Sequence, residues 1–454
     1  MTKIIQSKKN GRTFWQEQKN VLFSNKSINK SKFVEIFPKQ KYQQIIGFGG
    51  AFTEAACFNI MSSAPKIMKE ICSSYYSLEG LCYTLGRVVI NSCDFSLQSY
   101  TYVQEGDRNL STFDISHEQK YVIPVIKMAN NLANNQLKLV ASPWSPPAYM
   151  KTNDSMLHGG FLKNGDKLLW AKYLARYVSE MHKQNIPIEF LTVQNEPEAR
   201  QSWESCLYSG AEEADFIFNY LSPALIEEEL GGIKILAWDH NRDQIINRAE
   251  AIYKDSRIRE IVWGLAYHWY VSSDHENLST VHNKYSDKHL LFTEGCVELN
   301  NTNSSKKSEI GSWEHGEYYG RQMINDFNNY CEGWIDWNLV VDEIGGPNHA
   351  QNFCEAPIIY NRKSKEIVYN PSFYFIGHFS KYVLPGAVRI KTEVHCSSRL
   401  IAVSFLNPNR EIVTIIQNEG YKKLITLNLE GKGIEIKLPC HSITTVIMQD
   451  KQRR

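Results

Sequence analysis

The sequence lacks the features of several protein classes. It has no run of about eighteen apolar residues, and its first ten residues lack the apolar segment of a signal peptide. The ten cysteines include no C-x-x-C pair and no spacing typical of a disulfide framework or a zinc site. We therefore expect reduced thiols, a cytoplasmic location and no stable membrane insertion, and the sequence leaves the oligomeric state open.

A strong net charge is also missing. Fifty Lys and Arg residues nearly cancel 49 Asp and Glu residues, which leaves a net charge of +1 at pH 7. Proteins that bind nucleic acid need a basic surface that neutralises phosphates. The composition therefore argues against a nucleic-acid partner, and it offers little attraction to an anionic bilayer.

Motifs for metals and nucleotides are absent as well. No two histidines form an H-x-x-x-H or H-E-x-x-H pair. The glycine-rich segment Gly47–Gly50 lacks both G-x-G-x-x-G and the Walker lysine. We expect no catalytic metal and no cofactor.

Short apolar runs recur along most of the chain and predict eight strands. They cover residues 44–48, 85–91, 137–141, 188–193, 233–237, 262–267, 289–293 and 333–339. Segments with helical spacing lie between them, such as 115–134, 167–183, 211–230 and 317–330, and 371–383 could follow the eighth strand. Eight such units favour a closed (β/α)₈ TIM barrel, and an open doubly wound sheet is the alternative.

The helical pattern stops after Val383, and short alternating runs follow. They lie at 388–394, 400–406, 412–417, 423–427, 434–438 and 444–448, and another candidate strand lies at 32–37. This pattern is typical of a small all-β sandwich. We predict an N-terminal segment 1–43 that joins this side domain, a catalytic barrel over 44–384, and a β-sandwich domain over 385–454.

Two glutamates at strand ends suggest catalysis. Glycoside hydrolysis by a retaining mechanism needs a proton donor and an ionised carboxylate about 5 Å apart. Glu196 follows the fourth candidate strand and Glu294 follows the seventh, so a barrel could bring both to its C-terminal rim. Arg87 on the second strand could keep Glu294 ionised, while burial and the Glu294 charge should raise the pKa of Glu196. Either glutamate could instead be a helix-cap neighbour or a surface charge.

Aromatic and polar residues at the same strand ends would suit a sugar. Flat rings cover the apolar face of a pyranose, and Trp144, Trp269, Trp337 and Tyr270 could fill that role. The hydroxyl groups need polar partners, for which Asp94, Asn195, His268 and Asn352 are candidates. Each Trp could equally be part of the barrel packing.

Several motifs then resemble one family. They are IGFGGAFT (46–53), SCDFS (92–96), ASPW (141–144), MKTN (150–153), NEP (195–197), AYHWY (266–270), GWIDWN (333–338), GGPN (345–348) and GHFSK (377–381). In this order they are similar to the glucosylceramidases of glycoside hydrolase family 30, from about residue 46 to residue 381.

The resemblance implies a fold, a mechanism and a set of site residues. The fold would be a (β/α)₈ barrel with a β-sandwich, and the mechanism would be retaining and free of cofactors. Glu196 would be the acid/base and Glu294 the nucleophile. Trp144, Asn195, Trp337 and Asn352 would bind the sugar, with Arg87, His268 and Tyr270 around the nucleophile.

One motif departs from that family. Where these glucosylceramidases usually have Thr-Asp-Ala, this chain has Thr53-Glu54-Ala55. The resemblance implies that this carboxylate contacts hydroxyls at the far edge of the sugar. The longer Glu54 side chain would then crowd an exocyclic CH₂OH group and favour a β-xyloside, unless the backbone shifts to absorb the extra length.

The expected activity is therefore that of a retaining exo-β-glucosidase of the glucosylceramidase type. Its substrate would be a small-molecule β-glycoside or a glycolipid. A β-xylosidase and a β-1,6-glucanase are alternatives within the fold. A non-catalytic carbohydrate-binding barrel is the alternative outside enzymes, although binding alone would need neither glutamate.

Overall fold

The chain forms a closed barrel and a large separate sheet. The computed structural model describes residues 2–21, 32–299, 309–396 and 399–449. The first three strands belong to the separate sheet: β1 (Thr2–Lys8), β2 (Thr13–Val21) and β3 (Phe33–Gln44).

Eight parallel strands close the barrel, as predicted. They are β4 (Gly47–Phe52), β5 (Leu85–Ile90), β6 (Lys138–Pro143), β7 (Ile188–Thr192), β8 (Lys234–Asn241), β9 (Val262–His268), β10 (His289–Glu294) and β11 (Gly333–Asp336). Their residues are buried almost throughout, which explains why each strand is a continuous apolar run.

One layer of side chains fills the barrel interior. Seven strands contribute one residue each: Leu85, Val140, Phe190, Leu236, Ala266, Leu291 and Ile335. The remaining strand, β4, supplies glycine instead, and a Cβ on Gly49 would lie 2.0 Å from the carbonyl oxygen of Leu85. The glycine-rich segment therefore allows two neighbouring barrel strands to approach closely.

Helices surround the barrel. They are α1 (Glu54–Met61), α2 (Pro65–Tyr76), α3 (Val122–Leu132), α4 (Lys167–Lys183), α5 (Gly210–Phe216), α6 (Ser222–Glu227), α7 (Ile245–Tyr253), α8 (Ser256–Ile261), α9 (Glu276–Lys284), α10 (Trp313–Asn328) and α11 (Pro371–Ser380). The helix α4 has the predicted bounds. The helix predicted over 211–230 is divided by a π-helical turn at Ile217–Leu221, just before Pro223, which lacks a backbone N–H. Among the described ranges, no helix is long and apolar enough to cross a membrane.

The remaining strands complete two sheets. A small sheet at the barrel mouth contains β12 (Val340–Asp342), β13 (Ile358–Asn361) and β14 (Glu366–Tyr369). The C-terminal strands are β15 (Val388–His395), β16 (Leu400–Leu406), β17 (Glu411–Asn418), β18 (Lys423–Leu429), β19 (Lys432–Leu438) and β20 (Ser442–Gln449). They join the N-terminal strands in one nine-stranded sheet, in the order β19-β18-β3-β15-β16-β17-β20-β1-β2.

The barrel and the sheet share a packed boundary. Helices α10 and α11 pack together and contact β16, β17 and β20. At this boundary the buried His378 ring lies 2.8 Å from both the Ser7 and the Thr445 hydroxyl oxygens. The predicted fold class, a TIM barrel with an all-β side domain, is confirmed.

Candidate active site

A cavity of about 340 Å³ lies at the C-terminal ends of the barrel strands. Its wall contains these predicted residues: Asp94, Trp144, Asn195, Glu196, Tyr270, Glu294, Trp337 and Asn352. It also contains Gln201, Trp203, His240, Asn241, Val271, Cys296, Glu298 and Cys354. Parallel barrel strands all end at one rim, which explains why residues far apart in sequence meet here.

Glu294 is the last residue of β10 and is held by two donors. Its Oε2 accepts a hydrogen bond from Arg87 Nη1 at 2.5 Å, and its Oε1 accepts one from the Tyr270 hydroxyl at 2.9 Å. Burial and the nearby Glu196 charge raise the pKa of Glu294, although the charges of His268 and Arg87 act against them. The predicted contact between Arg87 and Glu294 is therefore present.

Arg87 is fully buried beneath the cavity and has four polar partners. Besides Glu294, its guanidinium donates to Asp239 Oδ2 at 2.7 Å, Asn195 Oδ1 at 2.8 Å and Ser142 Oγ at 3.0 Å. Burial of a cation is costly unless such partners compensate it. Because Arg87 occupies the Asn195 oxygen, the amide NH₂ of Asn195 is the group left for a ligand.

Glu196 follows β7 in a strained backbone conformation. Its φ is 47°, in the left-handed region, and its N–H donates to the Asp239 carbonyl at 3.0 Å. Its carboxylate lies 3.3 Å from His268 Nδ1, 3.3 Å from Gln201 Nε2 and 3.7 Å from His240 Nδ1. Such backbone strain is held by surrounding bonds and often occurs at functional sites.

The pKa of Glu196 differs from the expected one. Burial raises it, but the hydrogen bond from His268 and the charges of His240 and His268 outweigh burial and leave the pKa at about 2. The prediction of a raised pKa is therefore wrong. The sequence could not show that two histidines face this carboxylate.

His268 bridges Glu196 and a third carboxylate. Its Nε2 lies 3.1 Å from Asp239 Oδ1, which also accepts a hydrogen bond from the Thr293 hydroxyl at 2.6 Å. Burial lowers the pKa of His268, but the charges of Glu294 and Asp239 and the hydrogen bonds with Asp239 and Glu196 raise it to about 9. The ring is therefore an imidazolium at neutral pH.

Aromatic rings and amides form the opposite part of the cavity. Trp144 and Trp337 stack with their ring centroids 5.3 Å apart, and the Arg87 guanidinium lies 4.7 Å from the Trp144 centroid. Asp94 Oδ2 accepts from Asn348 Nδ2 at 3.3 Å and from Asn352 Nδ2 at 3.2 Å. Burial and the Glu294 charge raise the pKa of Asp94 to about 7. This mixture of rings and hydrogen-bonding groups suits a pyranose.

The structure does not place Glu54 in the cavity. Glu54 begins helix α1 after the N-cap Thr53, and its carboxylate accepts from Leu97 N at 2.9 Å and lies 2.8 Å from His117 Nε2. The sugar-binding role expected for Glu54 is therefore corrected, and Asp94 is the carboxylate of this region that reaches the cavity wall.

Some site residues were not predicted from the sequence. Asp239 and His240 stand at the end of β8, where Trp238 and Asp239 have φ values of 74° and 50° that turn their side chains out of strand alternation. The sequence did place the cluster Trp238-Asp239-His240 at the end of a predicted strand, but no motif or spacing indicated a function for these residues. His240, His268 and Glu196 could together hold a metal ion, because one ligand atom from each lies within 4.8 Å of the others.

Two domain patterns match the chain in order. The glycosyl hydrolase family 30 TIM-barrel domain matches residues 45–383, and the glycosyl hydrolase family 30 beta sandwich domain matches residues 386–446. The chain belongs to glycosyl hydrolase family 30. It is therefore a glycoside hydrolase, and the predicted family is confirmed.

Relatives within family 30 differ in their named activities. The lysosomal acid glucosylceramidase of Mus musculus is 32% identical over 90% of this chain and 82% of its own length. The crystal structure of SrfJ from Salmonella typhimurium is 36% identical, covers 99% of this chain and 100% of its own, and superposes with a TM-score of 0.94. A solved endo-β-1,6-glucanase is 27% identical, covers 99% of this chain and 100% of its own, and has a TM-score of 0.87. Family membership alone therefore leaves the substrate of this enzyme open.

Proposed function

We propose that this family 30 enzyme is a retaining exo-β-glycosidase that hydrolyses β-glucosides and resembles the glucosylceramidases in its specificity. Glu294 is the nucleophile and Glu196 is the general acid/base. The observation that carries the proposal is a difference in hydrogen bonding between the two carboxylates that line the cavity. Glu294 is fixed by Arg87 and Tyr270 at 2.5 and 2.9 Å, while the contacts of Glu196 with His268 and Gln201 are longer, at 3.3 Å each.

The first step forms a glycosyl-enzyme. Glu294 Oε attacks the anomeric carbon as Glu196 gives a proton to the departing glycosidic oxygen. Arg87 and Tyr270 orient the attacking carboxylate by hydrogen bonds that the nucleophile already has before substrate binds, so little reorganisation is needed. Glu294 is neutral once it is esterified.

In the second step Glu196 takes a proton from water, and the water oxygen attacks the anomeric carbon. The bond to Glu294 breaks, and the sugar leaves with its β configuration retained. The loss of the Glu294 charge in the intermediate changes the electrostatics around Glu196 between the two steps.

The two carboxyl groups titrate as a pair. The surroundings raise the pKa of Glu294 and lower that of Glu196, so of the two carboxyl groups they favour Glu294 in the protonated form. Catalysis requires the other arrangement. We infer that a bound glycoside, which fills the space between the two groups and removes water, moves the proton to Glu196.

The cavity suits one terminal sugar. Its volume of about 340 Å³ lies at the lower end of ligand pockets, which range from about 300 to 1,000 Å³. Asp94, Asn195 and Asn352 offer hydrogen-bonding groups, and Trp337 offers an aromatic surface. Trp203 and the exposed Val271 stand on the same wall as Glu196 and would contact the aglycone.

The relatives support a glucoside as substrate, and one of them supports a second candidate. The mouse relative is named a glucosylceramidase, while the 27% identical solved structure is named an endo-β-1,6-glucanase. A β-1,6-glucan would need space for sugars on both sides of the scissile bond. The small cavity volume of about 340 Å³ supports the exo-acting glucosidase.

The unpaired cysteines are relevant to the cellular compartment of the enzyme. All ten cysteines are unpaired, and those at the core positions are buried. Free thiols in this number are typical of a reducing compartment. They support the proposal that the enzyme works in the cytoplasm.

The test is a set of initial rates followed by trapping. Rates would be measured on nitrophenyl β-glucoside, nitrophenyl β-xyloside, detergent-solubilised glucosylceramide and β-1,6-glucan. We expect turnover of the two glucosides and release of β-glucose, read by NMR before mutarotation. A 2-deoxy-2-fluoroglucoside should label the peptide that contains Glu294, as read by mass spectrometry. Release of α-glucose would refute the retaining mechanism, and activity on β-1,6-glucan alone would replace the exo-glucosidase with the endo-glucanase.

A further inference from the structure

Three side chains beside the cavity have the arrangement of a metal site. Glu196 Oε1 lies 3.3 Å from His268 Nδ1 and 3.7 Å from His240 Nδ1, and all three atoms fit within 4.8 Å of one another. A tetrahedral Zn²⁺ with bonds of about 2.0–2.1 Å separates neighbouring ligand atoms by roughly 3.3–3.5 Å. The two distances from Glu196 Oε1 are close to that spacing, and the two histidine nitrogens lie within 4.8 Å of each other.

The donor types fit a borderline transition-metal ion. Two imidazole nitrogens and one carboxylate oxygen are a common set for catalytic Zn²⁺, and they also suit Cu²⁺ and Ni²⁺. Hard cations such as Mg²⁺ and Ca²⁺ prefer oxygen ligands only. These donor types should therefore favour a transition-metal ion over Mg²⁺ or Ca²⁺.

Asp239 orients one of the ligands, His268. His268 directs its Nε2 toward Asp239 Oδ1 at 3.1 Å, so its Nδ1 is the nitrogen that faces Glu196. A carboxylate that accepts from the distal nitrogen is the usual partner of a metal-binding histidine. Arg87 and Thr293 fix Asp239 in turn, at 2.7 and 2.6 Å.

The cavity also leaves an approach to the site. Glu196 and His240 both line the open cavity, while His268 is buried behind them. An ion could enter from the cavity, bind its three protein ligands and keep a water molecule on the cavity side.

We propose that Glu196, His240 and His268 form an inhibitory binding site for Zn²⁺ or a similar divalent transition-metal ion, which competes with the glycoside. Binding itself is independent of the proposed function, whereas the inhibition rests on the role proposed for Glu196. A bound ion would occupy the carboxylate oxygen that must exchange a proton with substrate.

The first experiment reads binding without activity. The chelator-treated full-length enzyme is titrated with Co²⁺, followed by visible absorption, and with Zn²⁺, followed by calorimetry. We expect one ion per chain with a tetrahedral nitrogen-and-oxygen spectrum, and no comparable binding of Mg²⁺. Absence of binding, or a spectrum dominated by sulfur-to-cobalt charge transfer, would overturn the proposal, because the latter would place the ion on cysteines.

Matched variants locate the ion. His240→Ala and His240→Gln should each weaken Zn²⁺ binding by about 10- to 100-fold or more, which is the scale of losing even a supporting residue. The control is His395→Ala, which removes the ligand of a second cluster, Glu35, Glu393 and His395, on the separate sheet. Zn²⁺ should bind this control as it binds the wild type. Unchanged affinity in both folded His240 variants, checked by near-UV circular dichroism, would overturn the assignment.

The second experiment reads inhibition. In each variant the rate on nitrophenyl β-glucoside is measured with and without Zn²⁺, so that each variant serves as its own reference. Wild type and His395→Ala should show competitive inhibition reversed by a chelator, and the His240 variants should lose at least tenfold in sensitivity. Tight Zn²⁺ binding without inhibition would overturn the competitive mechanism, and an enzyme inactive on all glucosides would still report the metal by its Co²⁺ spectrum.

Discussion

Arg87 Nη1 lies 2.5 Å from Glu294 Oε2, and the same guanidinium reaches Asp239 with Nη2 at 2.7 Å. The guanidinium is fully buried, so these two anions and Asn195 supply its compensation. The arrangement connects the proposed nucleophile to Asp239, which also holds His268. Arg87 therefore positions Glu294 directly and Glu196 indirectly, through Asp239 and His268.

Replacing Arg87 with lysine tests this dependence. An ammonium group keeps the charge but cannot reach Glu294, Asp239 and Asn195 in one plane. We expect Arg87→Lys to reduce kcat on nitrophenyl β-glucoside by about 10²–10³-fold, the scale of losing one preorganised donor. Urea unfolding should show a loss of stability, and Arg87→Met, which leaves the two anions unpaired, should lose about 3–5 kcal/mol.

The control for Arg87 is an equally buried pair away from the cavity. Arg242 lies 2.5 Å from Asp326 and both side chains are fully buried, but the guanidinium of Arg242 bonds Asp326 and Gln322 rather than Glu294 or Asp239. Arg242→Lys should lose stability while kcat remains near that of the wild type. If Arg87→Lys also kept its kcat, Arg87 would have only a structural role.

The two glutamates should respond differently to the leaving group. Glu294→Gln removes the nucleophile and should abolish turnover of every glycoside. Glu196→Gln removes the proton donor, which contributes about 10²–10⁴-fold when the leaving group needs a proton. Glu196→Gln should therefore impair an alkyl glucoside or glucosylceramide far more than dinitrophenyl β-glucoside.

Azide separates the two roles further. With Glu196→Ala, azide should attack the glycosyl-enzyme and give a β-glucosyl azide, whereas Glu294→Ala with azide should give the α product. Glu198→Gln is the matched control, because Glu198 lies two residues away, is half-exposed and pairs with Arg248 at 2.8 Å. Equal losses on good and poor leaving groups in Glu196→Gln would contradict the assignment.

His268 should control the pH profile. Its positive charge lowers the pKa of both Glu196 and Glu294. In His268→Asn that charge is missing, so both carboxyl groups hold their protons to higher pH. The acid and alkaline limbs of kcat/KM should therefore both move to higher pH, measured with nitrophenyl β-glucoside from pH 3 to 9.

The same profiles test where the proton resides. The profile of kcat/KM reports the free enzyme and that of kcat reports the complex. If substrate moves the proton to Glu196, the alkaline limb of kcat should lie above that of kcat/KM in the wild type. A slower His268→Asn enzyme with unshifted limbs would show that His268 only packs against the site.

Much of the fold could be predicted because its signals are local. The barrel strands are buried on both faces and therefore appear as continuous apolar runs, and α4 has a full apolar face between clear ends. Strands β1 and β2 could not be predicted in this way. β1 pairs with β20, more than 430 residues away in the chain, as in Ile4 with Val446, and β2 joins the sheet only by pairing with β1.

Site residues could be predicted where the residue type and its position at the end of a barrel strand were enough to identify them. Glu196, Glu294 and Trp337 follow barrel strands and face the rim. The positions of Asp239 and His240 follow from positive φ values at Trp238 and Asp239, which the residue types do not predict. Glu54 was misplaced because Thr53 caps α1, so Glu54 enters the first helical turn and points toward His117.

Glu54→Asp tests the corrected position of Glu54. The Glu54 carboxylate accepts a hydrogen bond from Leu97 N at 2.9 Å and lies 2.8 Å from His117 Nε2, and the shorter aspartate side chain cannot reach both groups. Loss of one such buried partner costs about 1–3 kcal/mol, so urea unfolding should show a less stable protein. The ratio of glucoside to xyloside rates should stay within about twofold of the wild type, because Glu54 is absent from the cavity wall.

The pH dependence of this stability gives a further measurement. Burial lowers the pKa of His117, but the hydrogen bond and charge of Glu54 outweigh burial and raise it. The stabilisation by this pair should therefore be complete below pH about 6.5, the unfolded value, and should be lost as the pH rises through the raised folded value. His117→Gln should lack that change, and Glu54→Asp should show less of it. A tenfold change in the ratio of glucoside to xyloside rates in Glu54→Asp would contradict the corrected position and show that Glu54 affects sugar binding.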